Sequence, residues 1–266
     1  MAQIAPLRYL EARPPAGARV AGTLVLLHAF PLNARMWTPQ FSLANDGWHV
    51  IAPQLKGMDG GRDETPADSF DDAAGSLVDL LDALHIESAV IGGVSMGGYL
   101  AFALYKWAAR YFAGMLLADT RPDADSPQAV EGRRKMLSLL QEKGPAAVAD
   151  EMIPRLLGET TRRTRPDLVA LVRSLVLSNS AEAIGGALTA LMTRADSTPL
   201  LAKIDCPVLI MVGDEDVVTP PAMSRDMHRA LARSELVTLG GAGHLSNLEQ
   251  ADPFNAALSR FLARAV

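Results

Sequence analysis

Residues Ile91–Tyr99 read IGGVSMGGY, one serine at position 95 with two glycines on either side of it. The residues before it, Ala89–Val94 (AVIGGV), form a short apolar run. From Met96 onward Leu100, Leu104, Trp107 and Ala108 repeat at helical spacing. A strand therefore runs almost directly into a helix, and Ser95 is the turn between them. Gly93-Val94-Ser95-Met96-Gly97 fits G-x-S-x-G, a sharp bend that strains its central residue and exposes the hydroxyl at the sheet edge. Bulk two positions to either side would collide with neighbouring backbone, so glycine stands there. The helix start beside the hydroxyl favours developing negative charge. Valine at position 94 breaks a G-x-G-x-x-G dinucleotide fingerprint, and the G-K-[ST] of a phosphate loop is absent from the chain.

Outward from this bend, short apolar runs alternate with helical patterns. Thr23–His28, His49–Ala52, Ala89–Val94, Met115–Ala118, Val208–Val212 and Leu236–Leu239 are the predicted strands. Several are apolar at nearly every position, as strands covered on both faces are. Ser69-Phe70-Asp71-Asp72 caps a helix whose apolar face is Phe70, Leu77, Leu81 and Leu84. Asp252-Pro253 opens another, with Phe254, Leu258, Phe261, Leu262 and Ala265 along one face. The alternation predicts an α/β fold with a doubly wound, mostly parallel sheet.

Between about Arg121 and Leu200 no strand pattern occurs. Four helical stripes do: Val130/Met136/Leu137/Leu140, Val148/Met152/Ile153, Leu168/Leu171/Val172/Leu175 and Ile184/Leu188/Leu191/Met192. A crossover needs only one helix. The predicted division is a core of residues 1–121 and 200–266 with an all-helical cap inserted at 122–199.

The 266 residues carry a net charge of −5 and no basic block, which argues against nucleic acid and anionic membranes as partners. No run reaches the roughly 18 apolar residues of a membrane span. Met1-Ala2-Gln3-Ile4 has no charged start and no long apolar run, so a cytoplasmic protein is the expectation. The single cysteine, Cys206, excludes an internal disulfide and reads as inert packing. No H-x-x-x-H or cysteine pair occurs, and no metal or other cofactor is expected.

A serine hydroxyl needs a base. Of five histidines, His244 stands out because Gly240-Gly241-Ala242-Gly243-His244 directly follows the last predicted strand. Such loops at strand carboxyl ends are where folds of this kind build sites. The base needs an acid behind it. Strand Val208–Val212 runs into Gly213-Asp214-Glu215-Asp216, where Asp216 has the reach and Asp214 is placed to brace the turn. Asp119, at the end of MLLAD, is the main competitor. Asp216 ranks first, Asp119 second and Asp214 third.

With these residues in place, the chain resembles the α/β-hydrolase superfamily along essentially its whole length. The marks are His28-Ala29-Phe30-Pro31 after a strand, the Gly93–Gly97 bend, Gly213-x-x-Asp216-x-x-x-Pro220, and Gly243-His244. The family commonly has glycine where this chain has Ala29. The resemblance implies a Ser95–Asp216–His244 triad, with the Phe30 and Met96 amides as oxyanion donors and His28 bracing the Phe30 loop. It implies hydrolysis of a small-molecule carboxylic ester by water through an acyl-enzyme. Lactone, thioester or carbon–carbon hydrolysis and perhydrolysis use the same machinery, and a slow-turnover, receptor-like binding module is the reading from another class. Leu32, Trp37, Tyr99, Leu137 and Met192 are the expected pocket residues.

Overall fold

The computed structural model describes residues 7–60 and 64–265. The Met1–Ile4 stretch read for a leader lies outside them. The chain forms one seven-stranded sheet: β1 (Tyr9–Ala12), β2 (Gly22–Leu27), β3 (Trp48–Pro53), β4 (Ala89–Val94), β5 (Phe112–Ala118), β6 (Val208–Gly213) and β7 (Ser234–Leu239). Their spatial order is β1-β3-β2-β4-β5-β6-β7. β1 pairs antiparallel with β3, and every other neighbouring pair is parallel. The six predicted strands are β2 to β7. β1 (YLEA) escapes prediction because only its end residues are partly buried, so it shows neither an apolar run nor a clean alternation. β4 and β6, in the sheet interior, are buried at every position.

Helices flank this sheet. α1 (Phe70–Ala83) is capped by the Ser69 side chain, which accepts from the Asp72 amide at 3.1 Å. α2 (Met96–Ala108) follows Ser95 at once. Between β5 and β6 come α3 (Pro127–Leu156), α4 (Glu159–Thr164), α5 (Pro166–Leu177) and α6 (Ala181–Thr193). α3 contains the first two predicted stripes and breaks at Gly144, whose φ of 74° is not helical. α7 (Pro221–Ala230), α8 (Ser246–Glu249) and α9 (Ala251–Ala265) complete the chain. α9 buries Phe254, Leu258, Phe261 and Leu262, the face its periodicity predicts. Among the described residues no single helix is long and apolar enough to cross a membrane.

The four glycines around Ser95 are required by the neighbouring strands. A Cβ at Gly93 or at Gly97 would lie 2.1 Å from the Leu27 carbonyl oxygen of β2. On the other side, a Cβ at Gly92 would lie 1.9 Å from the Leu116 carbonyl oxygen of β5, and one at Gly98 would lie 2.5 Å from Thr120 Oγ1. The bend is thus wedged between β2 and β5, and only hydrogen fits on either flank. Gly97→Ala is expected to destabilise the fold by more than about 4 kcal/mol, because backbone must move. Gly75, mid-α1, meets nothing within 4 Å, so Gly75→Ala is expected to add about 0.5–1 kcal/mol. Denaturant melts of the two variants beside the parent test the pair of signs.

Candidate active site

Ser95 sits between β4 and α2 with φ 55° and ψ −111°, a backbone conformation that side chains of L-residues rarely adopt. Its carbonyl is held by the Thr120 hydroxyl at 2.8 Å and its amide donates to the Ala118 carbonyl at 2.9 Å. The strained turn is therefore tied to the end of β5, and the hydroxyl is left to project.

That hydroxyl meets His244. Ser95 Oγ lies 2.8 Å from His244 Nε2, and His244 Nδ1 lies 2.8 Å from Asp216 Oδ2. A carboxylate can only accept, so the imidazole carries its proton on Nδ1 and leaves Nε2 to accept from the serine. Asp216 is itself held in place. The Val218 and Thr219 amides donate to Oδ1 at 2.8 and 3.0 Å, and Thr219 Oγ1 donates to Oδ2 at 2.7 Å. All three side chains are nearly closed to solvent. Burial pushes the Asp216 carboxyl up, but the His244 charge and the donated hydrogen bonds win and hold it down at about 2. Burial pulls His244 down in turn, and the Asp216 charge and hydrogen bond raise it above its usual value.

The two lower-ranked acids take other positions. Asp119 directly follows β5 at φ 45°, and among the described residues it makes no hydrogen bond to His244. It accepts from the Gly213 amide at 2.9 Å and from the Ser246 hydroxyl and amide at 2.5 and 3.2 Å. It therefore staples the loop carrying Asp216 to the loop carrying His244. Burial and the nearby Asp216 carboxylate push Asp119 up to about 8. The two acids are pushed in opposite directions: the imidazole holds Asp216 down, while burial and the Asp216 charge push Asp119 up. Asp214 accepts from the Gly241 amide at 2.7 Å and braces the turn after β7.

Other residues secure the His244 loop. Glu249, buried, accepts from the amides of Gly158, Gly243 and Leu245 at 2.8, 2.9 and 3.2 Å. The His244 amide donates to Leu156 at the end of α3 at 3.0 Å. Sequence reading misses Thr219 and Glu249. Thr219 lies inside the quoted G-x-x-D-x-x-x-P stretch, whereas nothing local marks Glu249.

Phe30 follows β2, and Met96 is the first residue of α2. Among the described residues neither amide donates to a protein acceptor, as expected at a helix start for Met96. His28 braces the Phe30 loop: its Nε2 accepts from the Leu55 amide at 3.4 Å and its Nδ1 donates to the Ala29 carbonyl at 3.2 Å. Burial drops His28 to about 4, so it is neutral. Ala29 has no positive φ, and its methyl is accommodated without that strain. Asn179, just past α5, donates to the Pro31 carbonyl at 2.7 Å and docks the helical segment onto this loop.

A cavity of about 650 Å³ opens beside these groups, bounded by Phe30, Tyr99 and Val218 on the sheet side and by α3 residues on the other. Of the five expected pocket residues, Tyr99 lines it. Leu32 and Trp37 do not: both are fully buried, and Trp37 packs at 6.2 Å on Phe254 of α9. Their closeness to the motifs in sequence does not carry over, because the turns after Pro31 point inward. Leu137 and Met192 also miss the lining, which takes Met136, Leu139 and Leu188 from the same helices. Leu137 packs instead toward Gly185 of α6. Cys206 is buried, and its thiol is pushed up to about 12. Among the described residues no cluster of metal-ligating side chains occurs.

The chain belongs to the Alpha/beta hydrolase family, whose profile matches residues 24–257. It is similar to a thermophilic esterase from Thermogutta terrifontis, at 33% identity with a TM-score of 0.91 over 97% of this chain and 93% of that one. It is also similar to the enol-lactonase from Burkholderia xenovorans LB400, at 26% identity and a TM-score of 0.87, covering 97% and 96% of the two chains. A curated relative, 3-oxoadipate enol-lactonase 2 of Acinetobacter baylyi, is 28% identical over 243 residues, 91% of this chain and 88% of that protein.

Proposed function

We propose that this chain is a serine hydrolase that cleaves carboxylic esters through an acyl-enzyme on Ser95. The observation that carries the reading is the unbroken line from Ser95 Oγ to His244 Nε2 and from His244 Nδ1 to Asp216 Oδ2, 2.8 Å at each step. In the first half-reaction Ser95 Oγ attacks the substrate carbonyl carbon as its proton passes to Nε2. The carbonyl oxygen becomes an oxyanion and takes hydrogen bonds from the Phe30 and Met96 amides, which are free to donate. The intermediate collapses, His244 gives the proton to the departing alkoxide, and the alcohol leaves. Water then attacks the acyl carbon with His244 again as base, and the acid leaves as Ser95 recovers its proton.

Residues 122–199 act in this reading as a cap over the site. Its attachments through Asn179 to the Phe30 loop and through Leu156 to the His244 loop support that role. A second reading, hydrolysis of a lactone, uses the same steps with the alcohol retained on the product. The enol-lactonase relatives favour it. In either case the substrate is a small molecule and no cofactor enters the chemistry.

Phenylmethylsulfonyl fluoride tests the assignment. Labelling is expected to add one sulfonyl group per chain, mapped by peptide mass to the fragment containing Ser95, with hydrolysis of p-nitrophenyl acetate lost in proportion. Many turnovers per chain before labelling distinguish an enzyme from a binding module. A label on another residue, or loss of activity without a label at Ser95, overturns the reading.

A further inference from the structure

The cavity lined by Phe30, Tyr99 and Val218 is cationic in a chain of net charge −5. Arg121, Arg133, Lys135 and Arg155 line it, opposed by one lining acid, Glu151. Behind the wall is Asp125, whose side chain is fully closed to solvent. It accepts from Arg121 at 2.9 Å, from Arg133 Nε at 2.5 Å and from Arg194 at 2.9 Å. Arg121 also pairs with Asp123 at 2.5 Å. Five cations thus face three carboxylates, and the surplus is positive. Arg194 stacks at 4.0 Å over the ring of Tyr99, which fixes that wall of the cavity.

A structural role alone explains Asp125 and Arg194, both buried. It does not explain Arg133. Asp125 holds Arg133 by Nε, and among the described residues its two Nη groups carry no hydrogen bond. A guanidinium fixed at one edge with its outer edge free is a preorganised fork for a carboxylate. The place is also suited to substrate. Arg121 directly follows Thr120, whose hydroxyl holds the Ser95 carbonyl, and Tyr99 lies one helical turn beyond Ser95. The cavity also shares Phe30 with the oxyanion loop and Val218 with the loop that carries Asp216.

We propose that this cavity selects esters or lactones bearing a free carboxylate a few carbons from the scissile carbonyl, with Arg133 and its neighbours Arg121 and Arg155 receiving that anion. The proposal rests on the ester-hydrolase reading and names its substrate class. A neutral ester of the same length occupies the same space but leaves the cationic wall without a counter-charge. Discrimination therefore appears in the specificity ratio and weakens with salt.

The test compares mono-p-nitrophenyl adipate with p-nitrophenyl hexanoate, two acyl groups of equal length, on the full chain. The anionic ester is expected to have the higher kcat/KM by about tenfold or more at low ionic strength, the gap narrowing as salt is added. Arg133→Gln is expected to cut the anionic-to-neutral ratio by about tenfold, mainly through KM, with Arg133→Lys restoring part of it. Arg155→Gln, at an exposed position, is expected to lower the ratio in the same direction, and keeps the test available where Arg133→Gln fails to fold. Equal hydrolysis of both esters, or a preference that survives both glutamine variants, overturns the carboxylate proposal and leaves the hydrolase reading standing. Hydrolysis of neither overturns both.

Discussion

Replacing Ser95 with alanine is expected to lower kcat/KM on a p-nitrophenyl ester by a factor on the order of 10⁵–10⁶. Among the described residues the serine oxygen makes one side-chain hydrogen bond, to His244, so its loss removes the proposed nucleophile and little else from the fold. The positive φ at position 95 is imposed by the wedge of β2 and β5 around the neighbouring glycines, and alanine endures it as serine does. One buried hydrogen bond disappears, and with it about 1–3 kcal/mol at most. The thermal transition should therefore stay cooperative while turnover collapses. Residual rate above the uncatalysed reaction is also expected, because in the proposed mechanism the Phe30 and Met96 amides still stabilise the oxyanion formed when water attacks the carbonyl carbon. Turnover within tenfold of the parent would mean that the hydroxyl at 95 is not the attacking group.

How much of this site could be read from sequence depends on whether its parts are local. The Ser95 bend is legible because glycines at 93 and 97 answer one backbone contact, with Leu27, and so appear at fixed spacing. The loops bearing Asp216 and His244 are legible because each directly follows an apolar strand. The buried network around Asp125 is not, since Arg194 reaches it from 69 residues away and no local pattern marks that pairing. Trp37 shows the opposite error: a short sequence distance from Phe30 suggests the pocket, yet α9, from the far end of the chain, supplies its actual neighbour, Phe254. β1 is invisible because its pairing with β3 is made by backbone while its side chains stay largely at the surface. Asp119 falls between these cases. Its place at a strand end is legible, but whether it or Asp216 touches the imidazole is decided by loop geometry.

That choice between acids sets the second large expectation. Asp216→Asn should lower kcat by roughly 10⁴, because an amide presented to Nδ1 no longer enforces the tautomer that leaves Nε2 free to accept. Asp119→Asn should cost far less, since Asp119 bonds to Gly213 and Ser246 and not to the imidazole. The pH profile separates a chemical role from a structural one. His244 must be neutral to take the Ser95 proton, and its pKa is raised because the Asp216 charge and hydrogen bond outweigh burial. The acid limb of kcat/KM in the parent is therefore expected above the ordinary histidine value of about 6.5. With the Asp216 charge removed, burial is left as the leading influence, so the imidazole loses its proton more readily and the limb moves to lower pH as the plateau falls. A merely loosened loop would lower the plateau and leave the limb where it was. If Asp216→Asn keeps more than about a tenth of the parent kcat/KM with an unmoved limb, the carboxylate at 216 does not govern the base.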